Sequence, residues 1–194
     1  MINLASSSKT RAKILRDFGF SFKQFLFNYD ESYIIKKEPL TYAYNVVCAK
    51  YLQFKKVYPN LENLLFADSS VVVDNEIFGK AKNDEDAFYM LKKQSNNEAS
   101  VITAMIYENK KLKLINLSIT TFKFKKFDEK DLKNYIDKRE YVGKAGAMMI
   151  EGFNKKYIVS QKGNTSTAMG LNAEILKAYI CLLYTSPSPR DATL

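Results

Sequence analysis

The sequence contains no histidine among its 194 residues. Without an imidazole base, catalysis of the Ser-His-Asp or Cys-His type is excluded, and so is a zinc site with histidine ligands. A metal ion would need oxygen ligands from Asp or Glu, which suit magnesium or manganese. Only two cysteines are present, Cys48 and Cys181. This low number argues against a disulfide framework and fits a reducing cytoplasm.

Long apolar runs are also absent. No stretch approaches the roughly 18 consecutive apolar residues of a transmembrane helix, and the chain turns polar after Met1–Leu4, unlike a signal peptide. We therefore expect a cytoplasmic protein that has no membrane partner. Hydrophobic residues make up 46% of the chain, which is enough for a core, and the length predicts one domain, with or without two lobes.

Positive charge exceeds negative charge, since 30 Lys and Arg residues against 21 Asp and Glu residues give a formal net charge of +9. This balance favours partners that carry phosphate groups. The lysines occur in scattered pairs such as Lys36-Lys37 and Lys55-Lys56 rather than in one block. We therefore do not expect nucleic acid as a partner. A lysine-rich solvated surface is the alternative to a phosphate site.

Strand and helix patterns alternate along the chain, which predicts a mixed-sheet α/β or α+β fold. The strands are expected at about 1–5, 21–29, 64–73, 76–78, 101–107, 111–125 and 157–161. The third is expected to be interrupted at Ala67–Ser70. The helices are expected at about 10–18, 39–57, 128–138 and 172–180, with a further one capped by Asn83. In the long helix the apolar spacing predicts a buried stripe of Leu40, Ala43, Tyr44, Val47, Cys48, Tyr51 and Phe54.

The end of the chain has an unusual sequence. Residues 181–191 read Cys-Leu-Leu-Tyr-Thr-Ser-Pro-Ser-Pro-Arg-Asp, which resembles the translation of a common transposase sequencing adapter. A natural tail rich in Pro and Ser has a similar composition. We expect the native sequence to stop near Ile180 and residues 181–194 to be a non-native, disordered tail.

The first candidate site follows the N-terminal strand. Ser6–Ser8 lead from this strand into a helix whose first turn carries Arg11. A helix N-terminus offers unpaired N–H groups and a positive dipole end to a phosphate, and an arginine can bind two phosphate oxygens at once. The alternative is that Ser8 only caps the helix. The glycine-rich phosphate loop of ATPases is absent.

Three further segments carry polar side chains at strand ends or in loops. Asp68 follows an apolar strand, where it suits a metal ligand or a base, although capping a turn is an equal alternative. Gly79-Lys80-Ala81-Lys82 and Gly143-Lys144-Ala145-Gly146 place lysines in loops that suit phosphates. Later glycines such as Gly163 and Gly170 allow the backbone to approach a ligand. For these loops the alternative is ordinary solvated turns.

Taken in order, these motifs resemble the Maf family of nucleoside triphosphate pyrophosphatases, also called septum-formation-inhibitor-like proteins. The shared series is the serine-rich loop with Arg11, then Asp30-Glu31, Lys50, Ala67-Asp68-Ser69, Gly79-Lys80, Lys144-Ala145-Gly146 and Glu151-Gly152. The resemblance spans about residues 2–180 and implies one Maf/ITPase-like domain over residues 1–180. Its fold would be a mixed α/β fold with an elongated twisted sheet, flanked by helices, and two lobes around a central cleft.

The resemblance also implies an activity and its residues. Maf proteins cleave nucleoside triphosphates between the α and β phosphates with a divalent metal, which clears unwanted nucleotides. By resemblance, Asp68 is the proton acceptor that activates water, and Glu31 and Asp68 bind the metal, magnesium or manganese. The implied phosphate ligands are Ser6, Ser8, Arg11, Lys50, Lys80 and Lys144. The family name suggests a link to cell-division arrest, and a homodimer is a possible assembly.

Three positions bear on base preference and depart from the family pattern. The family usually has Ser-Pro-Arg-Arg or Ser-Pro-Trp-Arg in the first loop, where this chain has Thr10 as its third residue. Its Ala-Asp-Thr becomes Ala-Asp-Ser with Ser69, which keeps the hydroxyl. Glu151 replaces the glutamine of the dTTP/UTP branch and looks like the branch that prefers 7-methyl-GTP. Thr10 fits neither branch, so the base stays open.

A second functional class also fits the sequence. The same basic surface suits a non-catalytic regulator of cell division that binds a nucleotide or a nucleic acid. The two classes differ in one structural expectation. The pyrophosphatase requires Asp68 and Glu31 to converge on one cleft with Arg11 and Lys80, whereas the binding protein does not.

Overall fold

A computed structural model describes residues 1–185 of the chain, and seven strands in this part form one mixed sheet. The order is β2-β1-β3-β5-β6-β7, and the short β4 pairs with β3 outside this path. The strands β2, β1 and β3 are parallel, whereas β3, β5, β6 and β7 pair antiparallel. The strands are β1 (Ile2–Ala5), β2 (Phe22–Phe25), β3 (Leu64–Val73), β4 (Glu76–Phe78), β5 (Glu98–Glu108), β6 (Lys113–Phe124) and β7 (Ile158–Lys162). The predicted mixed α/β fold is confirmed.

Helices flank the sheet and begin at the residues that the capping signals indicate. They are α1 (Lys9–Asp17), α2 (Pro39–Val57), α3 (Asp84–Gln94), α4 (Glu129–Asp137), α5 (Thr165–Ala168) and α6 (Ala173–Thr185), with a 3-10 helix at Phe153–Tyr157. Ser8, Asn83 and Asp128 each accept a hydrogen bond from the backbone N–H three residues later. Within residues 1–185, none of these helices has the length and apolarity needed to cross a bilayer.

Two strand predictions are wrong, for reasons of pairing. The second strand ends at Phe25 rather than near residue 29, because its partner β1 offers only the four residues Ile2–Ala5. The third strand is not interrupted, because Ala67–Ser70 stay in register with Ile102–Met105 of β5. Asp68 therefore lies inside a strand, and the alternative that it caps a turn is wrong.

The core lies on both faces of β3, which explains why apolar residues follow one another in Leu64–Ala67 instead of alternating with polar ones. Leu65 and Ala67 pack into a cluster with α1 and α6, whereas Leu64 and Phe66 pack into a cluster with α2. A third cluster joins the far end of β3 to α3 and α4. The two-residue period of a strand then directs Asp68 towards α2 and Ser69 towards α1.

Two expectations about helices are also corrected. The predicted bounds of α2 are confirmed, but Leu40 and Tyr44 of its predicted buried stripe are exposed, whereas Lys50 is buried. The last helix runs to Thr185 instead of ending near residue 180, so residues 181–185 are helical rather than disordered. The rest of the predicted tail, residues 186–194, lies outside the described residues.

Candidate functional site

A cavity of about 450 Å³ opens beside the middle of β3. Strand β1 has already ended at Ala5, and β4 first pairs at Val71, so this stretch of β3 lacks a strand partner on one side. The predicted site residues that line the cavity are Ser6, Ser8, Thr10, Arg11, Lys50, Asp68, Ser69, Lys80 and Lys144. Glu31 and Glu151 do not line it, and each contacts a lysine that does. The fold therefore brings the predicted residues together around one cavity.

The loop from β1 into α1 holds Arg11 in a fixed position. Ser8 caps α1, as the alternative interpretation expects, while Ser6 accepts a hydrogen bond from Nη1 of Arg11 at 3.2 Å. Nη2 donates to Oγ of Ser69 at 3.3 Å, and Nε donates to the carbonyl oxygen of Gly170 at 2.7 Å. Burial lowers the pKa of Arg11, and the negative charge of Asp68 opposes this effect. The guanidinium stays charged and keeps N–H groups for a ligand.

Lys50 brings the two predicted carboxylates together. Its Nζ lies 2.5 Å from Oδ1 of Asp68 and 2.9 Å from Oε1 of Glu31. The side chains of Lys50 and Asp68 are 11% and 17% exposed, whereas that of Glu31 is 39% exposed. The ring of Tyr29, whose hydroxyl donates to the carbonyl of Ala5, lies 5.6 Å from the same Nζ. Asp68 and Lys50 thus line the cavity together, and Glu31 joins them through its contact with Lys50.

The same carboxylates are suitable metal ligands. Oxygen donors are what magnesium and manganese prefer, and two carboxylates with substrate oxygens and water can complete a coordination shell. Within residues 1–185, no cluster of three or more His, Cys, Asp or Glu side chains forms a metal site. Glu31 and Asp68 therefore fit a metal that is shared with a ligand, and they do not form a protein cage.

Two further loops contain the other predicted lysines of the cavity, Lys80 and Lys144. A β-bridge joins Lys80 to Ala145, and N–H of Gly146 donates to the carbonyl oxygen of Gly79 at 2.7 Å. Nε2 of the Gln94 side chain donates to the carbonyl oxygen of Gly146, also at 2.7 Å. This clamp fixes the spacing between Lys80 and Lys144.

The three specificity positions have different surroundings. Thr10 and Ser69 line the cavity directly. Oε1 of Glu151 lies 3.5 Å from Nζ of Lys144. Its carboxylate therefore contacts a residue that lines the cavity without lining the cavity itself. The apolar part of the lining comes from Val71, Val101, Val142, Met148, Ala168 and Met169, among others.

Sequence reasoning missed some residues of the site. Lys9 and Tyr29 line the cavity, and Lys9 is directly next to the predicted Ser8. Thr103 of β5 is fully buried and forms a hydrogen bond with Ser69. The residue types around Thr103 gave no signal, because a threonine inside an apolar strand is ordinary β structure.

Comparison with known proteins gives a consistent answer. A family model described as Maf-like protein matches residues 1–181. The chain is 41% identical over 184 residues to a protein of Campylobacter jejuni named nucleoside triphosphate pyrophosphatase, which covers 93% of this chain and 100% of the relative. Proteins of the same name in a Nitratiruptor species and in Helicobacter pylori are 43% and 33% identical, over 91% and 88% of this chain and 96% and 90% of the relatives. The chain therefore belongs to the Maf family.

Proposed function

We propose that this protein hydrolyses nucleoside triphosphates to the monophosphate and pyrophosphate, and so clears unwanted nucleotides from the cell. One observation carries the proposal: a single cavity is lined by Asp68, which contacts Lys50, and by the cations Arg11, Lys80 and Lys144. The name shared by the Campylobacter, Nitratiruptor and Helicobacter relatives supports the same activity. We place this activity in one domain, residues 1–180, with two lobes around the cavity.

The cations match the charge of a triphosphate. Its several negative charges are costly to hold near carboxylates unless positive side chains surround them. Lysines and an arginine approach from separate loops, so each phosphate can meet its own partner. Arg11 is the residue suited to two phosphate oxygens, because its fork is fixed by Ser6, Ser69 and Gly170.

Asp68 is the residue proposed to accept the proton. With no histidine in the sequence, a carboxylate must serve as the general base. The oxygen of a water molecule bonds to the α-phosphorus, the bond from this phosphorus to the bridging oxygen breaks, and pyrophosphate leaves. The water proton passes to Asp68, while Lys50 holds that carboxylate in place at 2.5 Å.

A divalent metal belongs to the proposal through two residues. Glu31 and Asp68 would hold it together with phosphate oxygens, and magnesium or manganese suits these ligands. When bound, the metal supplies Lewis-acid polarisation of the phosphate oxygens. Of these carboxylate oxygens, Lys50 contacts only Oδ1 of Asp68 and Oε1 of Glu31, so the other oxygen of each carboxylate would stay available to the metal.

Base preference is assigned to Thr10, Ser69 and Glu151. A carboxylate at position 151 accepts hydrogen bonds, as from a guanine edge, and favours a cationic base. Because Glu151 lies beside Lys144, we expect its influence to depend on that ion pair. A cytoplasmic location, a homodimer and a link to cell division stay predictions.

The test is product analysis with a panel of triphosphates. Purified chain is incubated with magnesium and dTTP, UTP, CTP, GTP or 7-methyl-GTP, and pyrophosphate and orthophosphate are measured separately. We expect one pyrophosphate per triphosphate consumed, and loss of the activity in Asp68→Asn. Asp74→Asn is the matched control, since Asp74 is an acid in the turn after the same strand. If folded wild type releases no pyrophosphate but binds a triphosphate in calorimetry, the non-catalytic binding protein replaces this proposal.

A further inference from the structure

A chain of hydroxyl groups connects the cavity to the buried part of the sheet. Oγ of Ser69 lies 2.8 Å from Oγ1 of Thr103, and Oγ1 of Thr103 donates to the carbonyl oxygen of Thr167 at 2.8 Å. At the cavity end, Nη2 of Arg11 donates to the same Oγ of Ser69. This series of hydrogen bonds, from Arg11 through Ser69 and Thr103 to Thr167, thus links α1, β3, β5 and α5; we call it the hydroxyl relay. Thr103 is 0% exposed, and it is not among the residues that line the cavity.

The donor and the acceptor of each hydrogen bond in the relay follow from the number of hydroxyl hydrogens available. Thr103 has one hydroxyl hydrogen, and its donation to Thr167 uses it. The contact between Ser69 and Thr103 therefore requires Ser69 to donate. Ser69 then has only lone pairs to offer towards the cavity, and these accept the N–H of Arg11.

We propose that Thr103 is a positioning residue for Arg11. By taking the hydrogen of Ser69, it keeps the oxygen of Ser69 an acceptor, and this acceptor orients the guanidinium. The inference rests on the proposed function, in which Arg11 binds phosphate, and it adds a residue that does not touch the substrate.

Thr103→Val tests the relay with a side chain of the same shape. The carbonyl of Thr167 keeps its bond from the N–H of Gly170 at 3.0 Å, so α5 retains a partner there. Ser69, however, loses its acceptor and is free to point its hydrogen towards Arg11. We expect KM for the triphosphate to rise about fivefold, the size of one net hydrogen bond, with kcat little changed. Thr103→Ser keeps the hydroxyl and should restore the wild-type KM.

A matched control exists in the same sheet. Ser100 and Thr121 form a second hydroxyl pair, also at 2.8 Å, and neither residue lines the cavity. Thr121→Val removes an equivalent bond between neighbouring strands and should leave KM unchanged. A general loosening of the sheet would instead raise KM in Thr121→Val and Thr103→Val alike, which contradicts the proposal.

A double-mutant cycle shows whether Thr103 acts through Ser69. In the Ser69→Ala background, Thr103→Val should change KM by less than about twofold, because the relay is already broken. A full, additive effect in that background would overturn the proposal, since it would mean that Thr103 acts by another route.

A readout without catalysis separates this proposal from the proposed function. The exchange rate with solvent of the Arg11 Nη2 hydrogens, one of which Oγ of Ser69 accepts, is measured by NMR, with the signal assigned by its loss in Arg11→Lys. We expect faster exchange in Thr103→Val and a wild-type rate in Thr103→Ser and Thr121→Val. If wild type releases no pyrophosphate, the proposed function fails while this measurement still decides the relay. Unchanged exchange in Thr103→Val would overturn the relay even in an active enzyme.

Discussion

Gly146 is the position where one added methyl group should damage both stability and the site. Its φ is +59°, and a Cβ there would lie 2.6 Å from Cβ of Val71, with both methyl carbons of that valine within 2.9 Å. Val71 is 1% exposed and packs in the cluster with α3 and α4. Because the nearest atom is the Cβ of Val71, which is fixed to the backbone of β3, rotation of the valine side chain cannot relieve this contact. The N–H of Gly146 also forms the clamp with Gly79.

The cost of Gly146→Ala has two parts. The left-handed backbone costs an alanine about 1–2 kcal/mol, and overpacking a filled core costs about 1–3 kcal/mol more. Gly19 separates them, because it has φ +77° and nothing within 4 Å of an added Cβ. Gly19→Ala should therefore cost only the first part. For a chain of this size each kcal/mol lowers Tm by about 2–4 °C.

Thermal unfolding by circular dichroism measures both variants in parallel. We expect Gly146→Ala to lower Tm by about 4–20 °C and Gly19→Ala by about 2–8 °C. Gly146→Ala should also raise KM, because a strained clamp separates Lys80 from Lys144, whereas Gly19→Ala should not. Equal losses of Tm in the two variants would refute the contact between Gly146 and Val71 as the source of the extra cost.

Three further changes test separate parts of the site and its scaffold. Arg11→Lys cannot reproduce the fork of the guanidinium, and steady-state kinetics should show KM raised about tenfold or more. Lys50→Met removes the cation that holds Asp68, and kcat should fall at least about tenfold in a protein that circular dichroism shows to be folded. Burial raises the pKa of Glu108, but hydrogen bonds from Tyr51 and Lys55 outweigh it and hold this pKa below its ordinary value. Glu108 thus stabilises the fold at neutral pH and loses that effect as the pH falls through its lowered pKa. Urea unfolding should therefore show that Glu108→Gln costs stability at pH 7, and that this cost shrinks as the pH falls past the ordinary glutamate pKa of about 4.3 and disappears only below the lowered pKa of Glu108.

Each of these results has a clear opposite. An unchanged KM in Arg11→Lys would place Arg11 outside the phosphate site. Full activity in Lys50→Met would mean that Asp68 needs no partner to keep its place. A stability difference for Glu108→Gln that persists in acid would assign its cause to packing instead of charge.

The elements with local signals were predictable from the sequence. Pro39 at the start and Pro59 after the end bracket α2, and both bounds of that helix agree with the prediction. Caps such as Ser8 and Asp128 are local as well, because each serine or aspartate bonds to an N–H only three residues away. Where a helix boundary depends only on residues within about one helical turn, the sequence alone is enough to predict it.

Pairing between distant segments was not predictable in the same way. The alternating pattern of the second strand continues to about residue 29, but β1 provides partners only as far as Phe25. Asp68 and Ser69 looked like the end of a strand because they are polar, yet β5 pairs with both. Propensity describes one residue at a time, whereas the register of a sheet depends on its neighbour.

The site residues also divide into those with a local sequence signal and those that depend on distant segments. The resemblance identified Lys50, but the apolar spacing of α2 placed Leu40 and Tyr44 inside and gave no reason to bury a lysine. A buried ammonium is tolerable only with partners, and these are Glu31 and Asp68, which come from two other segments. Thr103 was even less predictable, since the role proposed for it depends on three residues that are distant in sequence, Arg11, Ser69 and Thr167.

Hydrolysis in ¹⁸O-labelled water tests the central claim most directly. The best triphosphate from the panel is incubated with wild type and magnesium, and ³¹P NMR locates the label in the products. Water attack on the α-phosphorus with Asp68 as base predicts the label in the monophosphate, unlabelled pyrophosphate and no orthophosphate, with no turnover in Asp68→Asn. Label in the pyrophosphate, or orthophosphate as the first product, would contradict the account.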